Sequence, residues 1–197
     1  TGYLGSKTQI GYVLDIFKGL TKEGSLKIVD PAMADNGKLY PAFDMEYVKE
    51  MKKLCAKADI LIPNITEACF LTDLEFKTEY DEAYIKKLLE ELIKLGAKAI
   101  VLTGVSYSRD KTGVCVYENG KLSYYEHKLI SKGSHGTGDV YASAFVGALM
   151  NDKKLFDSAK IAADYTVKCI ENTASDPNHW YGVKFETALG ALINALK

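Results

Sequence analysis

Apolar positions along the chain fall into two alternating kinds of segment. Ile10, Val13, Leu14, Phe17 and Leu20 recur every three or four residues, which predicts an amphipathic helix over 7–22 that stops near Gly24. The next apolar run, over 26–30, is short and closes on Asp30-Pro31, as a buried strand does. The stretch around Gly37 and Pro41 reads as loop, after which Asp44 can cap a helix running to about residue 57. Ile60-Leu61-Ile62, closed by Pro63, is a second strand, and a short helix follows from about Thr66. A longer helix is predicted over 81–95 with Gly96 as its C-cap, then a third strand over 99–103. Segments 113–117 and 122–127 flank Asn119-Gly120, a hairpin signal. From Gly138 onward the pattern is helical, over 139–150, 156–171 and 185–196.

Strands that alternate with helices and carry β-branched cores predict an α/β fold, a mostly parallel doubly wound sheet with helices on both faces. No repeat, low-complexity stretch or linker interrupts it, so 1–197 reads as a single domain. Such folds bind ligands at the carboxyl ends of their strands. The polar residues expected there are Asp30 with Asp35, Asn64 with Glu67, and Thr103 with Gly104.

Composition narrows the function classes. Hydrophobic residues make up 47% and charged residues 26% of the 197, which is globular composition. The net charge is −1, and of the 25 basic residues only Arg109 is an arginine, which argues against a nucleic-acid surface. Cys55, Cys69, Cys115 and Cys169 are widely spaced, with no Cys-x-x-Cys, so neither a zinc site nor a disulfide framework is expected and a cytoplasmic setting fits. No apolar run approaches a membrane span. Asn64-Ile65-Thr66 matches a glycosylation sequon and is read as chance. His127, His135 and His179 have neither metal nor triad spacing.

The sharpest chemical segment is Gly133-Ser134-His135-Gly136-Thr137-Gly138-Asp139, running into a helix. Small residues let a backbone turn approach a ligand, and the free N–H groups of the helix start attract anions, phosphate above all. Asp139 could accept a proton from a hydroxyl nucleophile; it could equally be an ordinary first-turn aspartate. A Walker A loop is absent, so this is not a P-loop kinase.

Taken together, four segments resemble the pyridoxal kinases of the ribokinase-like superfamily. Gly-Thr-Gly-Asp opening a helix is similar to the superfamily's C-terminal signature. The segment from Val29 to Tyr40, built on Asp30-Pro31, Asp35, Gly37 and Leu39-Tyr40, resembles their Asp-Pro-Val-Met-Gly-Asp-x-Gly-x-Leu-Tyr run. Ala58-Asp59 with Pro63-Asn64 and Glu67 resembles their Ala-Asp-x-x-Thr-Pro-Asn-x-x-Glu run, and Thr1-Gly2-Tyr3-Leu4-Gly5 their Thr-Gly-Tyr-x-Gly run. The order is the family's, and the match covers essentially the whole chain.

The resemblance implies ATP-dependent phosphorylation of the hydroxymethyl group of pyridoxal, pyridoxine or pyridoxamine. It implies that Asp139 is the catalytic base and that Gly136, Thr137 and Gly138 form the anion hole. Asp35 and Glu67 would hold magnesium, partly through water, with Asp30 tuning that metal and a monovalent cation; Asn64 and Thr103 would face the triphosphate. Tyr3 would stack on the pyridine ring. Buried aromatics being common, Tyr3 could also be plain core, and Asp30 or Glu67 could merely satisfy loop and helix ends. The resemblance further implies a homodimer, and a fold incomplete at the N-terminus, without its first strands and lid region.

Two departures stand out: Ile62 where these kinases often place Thr, and Ala34 in place of the usual Gly. The nearest alternative is a hydroxymethylpyrimidine kinase of the same superfamily, whose members commonly carry Cys where Asp139 stands. The alternative outside enzymes is a non-catalytic nucleotide-binding fragment.

Overall fold

A computed structural model describes residues 1–130, 135–176 and 178–197. In chain order it contains α1 (Lys7–Gly19), β1 (Ile28–Val29), β2 (Ala34–Asp35), β3 (Lys38–Leu39), α2 (Met45–Cys55), β4 (Ile60–Leu61), α3 (Ile65–Thr72) and α4 (Glu82–Leu95). Then follow β5 (Ala99–Ser108), β6 (Lys111–Glu118), β7 (Lys121–Lys128), α5 (Thr137–Leu149), α6 (Leu155–Ala174), a 3₁₀ turn (Phe185–Ala188) and α7 (Leu189–Leu196). Among the described residues no helix is long and apolar enough to cross a membrane, and all four cysteines are buried thiols.

The main sheet has the order β1-β4-β5-β6-β7. Its first side is parallel, with Ile28 opposite Ile60, Val29 opposite Leu61, Ile60 opposite Ala99 and Leu61 opposite Ile100. Val29, Leu61, Ile100, Val101 and Leu102 have no exposed surface, as strands buried on both faces require. The Thr1 nitrogen donates to the Ile28 carbonyl (2.8 Å), and Asp30 N donates to the Thr1 carbonyl (3.0 Å), so Thr1 pairs along the outer edge of β1. β5, β6 and β7 are joined by two-residue connections, which only antiparallel neighbours allow. At Asn119-Gly120 both residues have positive φ, 52° and 77°, the geometry of the predicted hairpin.

The chain divides into two compact units. The first comprises Thr1–Tyr107 and Cys115–Ser123. Its helices are started by side-chain caps where the sequence offers them: Ser6 accepts from Gln9 N, Asp44 from Tyr47 N, and Asp81 from Tyr84 N. α4 buries Ile85, Leu88, Leu89 and Leu92, a single stripe at helical spacing. Tyr47, Val48, Met51 and Leu54 do the same on α2. α1 packs on α2 and ends at Gly19, three residues earlier than its apolar spacing predicts; the Thr21 hydroxyl bonds back to the Phe17 carbonyl (2.7 Å) just past that end.

The second unit comprises Ser108–Val114 and Tyr124–Lys197. Its core is the α5–α6 pair, which buries Phe145 fully together with Ala144 and Ala148 on α5 and Ala159 and Ala162 on α6, small side chains that let two helices approach closely. The Tyr141 hydroxyl donates across this interface to the Ala159 carbonyl (3.3 Å). The last predicted helix divides: 185–188 is 3₁₀, and the α-helix begins only at Leu189.

Two local differences bear on function. The 34–39 stretch, read as loop, is a two-stranded ribbon, β2 against β3, turning on Asn36 (φ 50°) and Gly37 (φ 76°). Asn-Gly is the strongest short hairpin signal, and here its strands are too short to show alternation. The third strand runs past 103 to Ser108, so Thr103 and Gly104 lie within β5 and not beyond its end. Val105 is buried after the exposed Gly104, whose φ of +73° interrupts the strand without ending it.

Candidate functional site

In the first unit the polar residues singled out from the sequence gather around the start of α3. Pro63 follows β4 and has no N–H to continue the ladder; Asn64 then takes extended backbone and caps α3. Its Oδ1 accepts from Glu67 N (2.9 Å), and Glu67 Oε2 accepts from Asn64 N (2.9 Å), a reciprocal capping box. Asn64 also forms a parallel bridge with Thr103, whose backbone N–H (2.9 Å) and hydroxyl (3.3 Å) both donate to the Pro63 carbonyl. The end of β4 and the middle of β5 are thereby locked side by side.

Glu67 does more than cap. Its Oε1 accepts from Met33 N (3.0 Å) and, more distantly, from Ala34 N (3.5 Å). Asn64 Nδ2 donates to the Ala34 carbonyl (2.8 Å), and Gly37 N donates to the Thr66 hydroxyl (3.0 Å). The first turn of α3 therefore holds residues 33–37 at four backbone positions. Glu67 is 3% exposed and Asp30, just after β1, 8%. Burial, with the charge of Asp30 adding to it, pushes the Glu67 carboxyl up to about 8, against the opposing pull of the Asn64, Met33 and Ala34 N–H groups. Ala34, which stands in place of the usual Gly, sits fully buried in β2 and takes part in these bonds, so its methyl group is accommodated. Ile62 is buried beyond β4.

Asp35 is different. It is exposed, and among the described residues its carboxylate accepts only from its neighbour Asn36, at the backbone N–H (2.8 Å) and at Nδ2 (2.9 Å). Lone pairs remain for a hard cation. Among the described residues there is no group of three or more His, Cys, Asp or Glu side chains that could hold a metal by themselves.

Tyr3 is 53% exposed, so it is not core. Its ring lies 5.4 Å from that of Phe43, which stacks on Tyr47 at 3.9 Å; the Tyr47 hydroxyl ties this row back to the Leu4 carbonyl (2.6 Å). A half-open aromatic face supported from behind can receive a flat ring.

In the second unit, α5 begins at Thr137 after Gly136, which has a left-handed φ of 79° and supplies no side-chain cap. The N–H groups of the first turn have no intrahelical acceptors, and Gly136 has no side chain to cap them. Among the described residues, apart from the adjoining backbone, nothing lies within 4 Å of where a Cβ on Gly136 or Gly138 would stand. Asp139 is exposed in that first turn. Gly133 and Ser134, which open the motif, lie outside the described residues.

The sequence thus led to most of the polar groups at the α3 start, and missed what joins them. Thr66 and the ribbon that carries Asp35 were not singled out, although Asn-x-x-Glu is itself a capping-box pattern and Asn36-Gly37 a turn pattern.

Comparison with known proteins is consistent across sequence and structure. The family model described as phosphomethylpyrimidine kinase matches residues 1–183. The chain is similar to a candidate phosphomethylpyrimidine kinase of Bacteroides thetaiotaomicron, with a TM-score of 0.93 and 33% identity over 98% of this chain and 68% of that one; another crystal form of that protein contains pyridoxal. It is 29% identical over 160 residues to a pyridoxal kinase of Dictyostelium discoideum, covering 75% of this chain and 52% of that one. It is 28% identical over 178 residues to a hydroxymethylpyrimidine/phosphomethylpyrimidine kinase of Aquifex aeolicus, covering 87% and 66%. The chain thus spans between half and two-thirds of the length of these two curated relatives. The expected ribokinase-like fold, a mixed and mostly parallel sheet with helices, is borne out by these likenesses.

Proposed function

Because the chain belongs to the phosphomethylpyrimidine kinase family, we propose that it takes part in ATP-dependent phosphorylation of a hydroxymethyl group on a nitrogen heteroaromatic ring, with pyridoxal, pyridoxine or pyridoxamine as the acceptor. The observation that carries this reading is the start of α5, entered through a left-handed Gly136 that supplies no side-chain cap, with the exposed Asp139 in its first turn. Open helix N–H groups suit the transferred phosphoryl, and a carboxylate beside them suits the proton that the acceptor hydroxyl must lose.

The chemistry balances with these parts. The acceptor oxygen forms a bond to the γ-phosphorus, the bond from that phosphorus to the ADP oxygen breaks, and the hydroxyl proton passes to Asp139. Thr137 and Gly138, with the turn at Gly136, offer N–H groups to the phosphoryl oxygens. In the first unit, Asp35 would bind magnesium carried by the nucleotide, with Glu67 and Asp30 behind it, and Asn64 and Thr103 would serve the triphosphate. Magnesium supplies charge neutralisation on the phosphates. Tyr3 would receive the flat ring. A monovalent cation near Asp30, a cytoplasmic location and a homodimer belong to the same proposal.

A second reading has its own support. The matching family model is described as phosphomethylpyrimidine kinase and the Aquifex relative is named for both hydroxymethylpyrimidine and phosphomethylpyrimidine, so hydroxymethylpyrimidine is the competing hydroxyl acceptor. The experiment is ADP release measured with each of the three pyridine vitamers and with hydroxymethylpyrimidine, for the chain and for Asp139→Asn. Turnover with a pyridine vitamer that falls roughly 10²–10⁴-fold in the variant, while nucleotide binding persists, is the expected result. Turnover with the pyrimidine alone would select the second reading. Near-normal turnover in Asp139→Asn would remove the proposed base.

A further inference from the structure

In many phosphate-handling sites a carboxylate is taken to act by touching the metal. The bonds around Glu67 argue otherwise here. Its two oxygens accept from the N–H groups of Met33, Ala34 and Asn64, on two separate stretches of chain, and it is almost wholly enclosed. Three donors on one enclosed carboxylate leave little of it for a cation. Asp35, one residue past Ala34, is by contrast exposed and among the described residues has hydrogen-bond partners only on Asn36.

We infer that Glu67 is a positioning residue: it fixes the 33–37 ribbon, with Thr66 and Asn64, so that Asp35 is presented to the magnesium of the nucleotide. This rests on the phosphoryl-transfer reading above. Three features favour it. The grip is distributed, since Thr66 holds the turn at Gly37 while Glu67 and Asn64 hold the Met33–Ala34 end. It is backed by packing, because the Phe76 ring lies against Gly37, with Cδ1 2.8 Å from the place a Cβ would occupy. And it comes from α3's own capping box, so the carboxylate orientation is set by backbone that must be there for the helix to start.

The test compares Glu67→Gln, Asp35→Asn and the double variant, with folding checked by circular dichroism. Amide hydrogen exchange at Met33 and Ala34 is first read in the chain without nucleotide or metal. A glutamine amide cannot accept at both of its ends, so exchange there should rise at least tenfold, as expected when a hydrogen bond to a charged group is lost. Magnesium dependence of ATP binding is then titrated. If Glu67 acts through Asp35, its substitution should weaken magnesium use about tenfold alone and add little once Asp35 is already Asn.

Thr66→Val, which loosens the same ribbon without touching a carboxylate, should weaken magnesium use in the same direction, and it serves as the second probe should Glu67→Gln fail to fold. Unchanged exchange at Met33 and Ala34 overturns the inference. So do losses that multiply in the double variant, the signature of two independent ligands. Failure of the unaltered chain to bind magnesium–ATP would overturn the functional reading and Asp35's part in it; the exchange arm, read without either, still reports whether Glu67 clamps the ribbon.

Discussion

Replacing Gly37 by alanine strains the ribbon at its turn. Gly37 has φ +76°, a left-handed conformation that costs an L-residue roughly 1–2 kcal/mol. The new methyl group would also stand 2.8 Å from Phe76 Cδ1 and 3.1 Å from Cε1, so the ring must shift; overpacking of this kind costs about 1–3 kcal/mol. Against these, alanine narrows the unfolded ensemble and returns about 0.4–1 kcal/mol. The net expectation is a loss of about 1–5 kcal/mol, centred near 3. Urea unfolding of Gly37→Ala, Phe76→Leu and the double variant measures it. The steric share should appear as a favourable coupling of about 1 kcal/mol, because the smaller side chain makes room for the methyl. Since Asp35 and Gly37 share the turn, the magnesium concentration needed for half-maximal activity should rise too. A stability change under about 0.5 kcal/mol, or energies that simply add, would refute the reasoning.

Two further outcomes are expected. Tyr3→Ala should raise the KM of the ring-bearing acceptor far more than that of ATP, on the scale of about 1–3 kcal/mol per stacked ring; equal effects on both would mean that the ring only packs on Phe43. Asp59 gives the pH dependence: burial alone would raise its carboxyl, but the Lys98 ammonium and Lys27 N–H, both at 2.8 Å, with the Lys27 ammonium at 3.7 Å, hold it below its ordinary value. Its folded pKa being depressed, the stability it adds is present above about pH 4 and is lost as pH falls through the folded pKa. Asp59→Asn should therefore cost about 1–2 kcal/mol in urea unfolding at pH 7 and much less at pH 3; an equal gap at both would remove the electrostatic account.

How much of this could be read from the sequence depended on how many residues carry each signal. α4 spreads four buried positions over about two turns, and Asp81 and Gly96 mark its ends, so its limits were legible. β1 and β4 were legible because a strand buried on both faces is a continuous apolar run, and the β6–β7 hairpin because Asn119-Gly120 joins two long strands. The β2–β3 ribbon has the same dipeptide, but its two-residue strands have no alternation to read. Its stability comes from Thr66, Glu67 and Phe76, far away in sequence. β5 ran on past Thr103 because its continuation is set by pairing with β6, not by its own pattern. At the candidate site, residue identities were legible one by one. The division of labour between the enclosed Glu67 and the exposed Asp35 was not, since it depends on which backbone N–H groups the fold brings to each carboxylate.

The parallel side of the sheet also has a kinetic meaning. Ile28 meets Ile60, and Ile60 meets Ala99, across loops of roughly thirty to forty residues, whose closure entropy is spent before any ladder bond forms. The β6–β7 hairpin closes over two residues, on the microsecond scale of hairpins, and α5 needs only a short turn to find α6. The chain therefore acquires its local pieces first and its β1-β4-β5 ladder last. The Asn64–Thr103 bridge just beyond that ladder must wait for the same slow closures. Newly made chains pass through an interval in which short, wholly apolar strands have no partners, and in that interval a chaperone or a second unfolded chain competes for them.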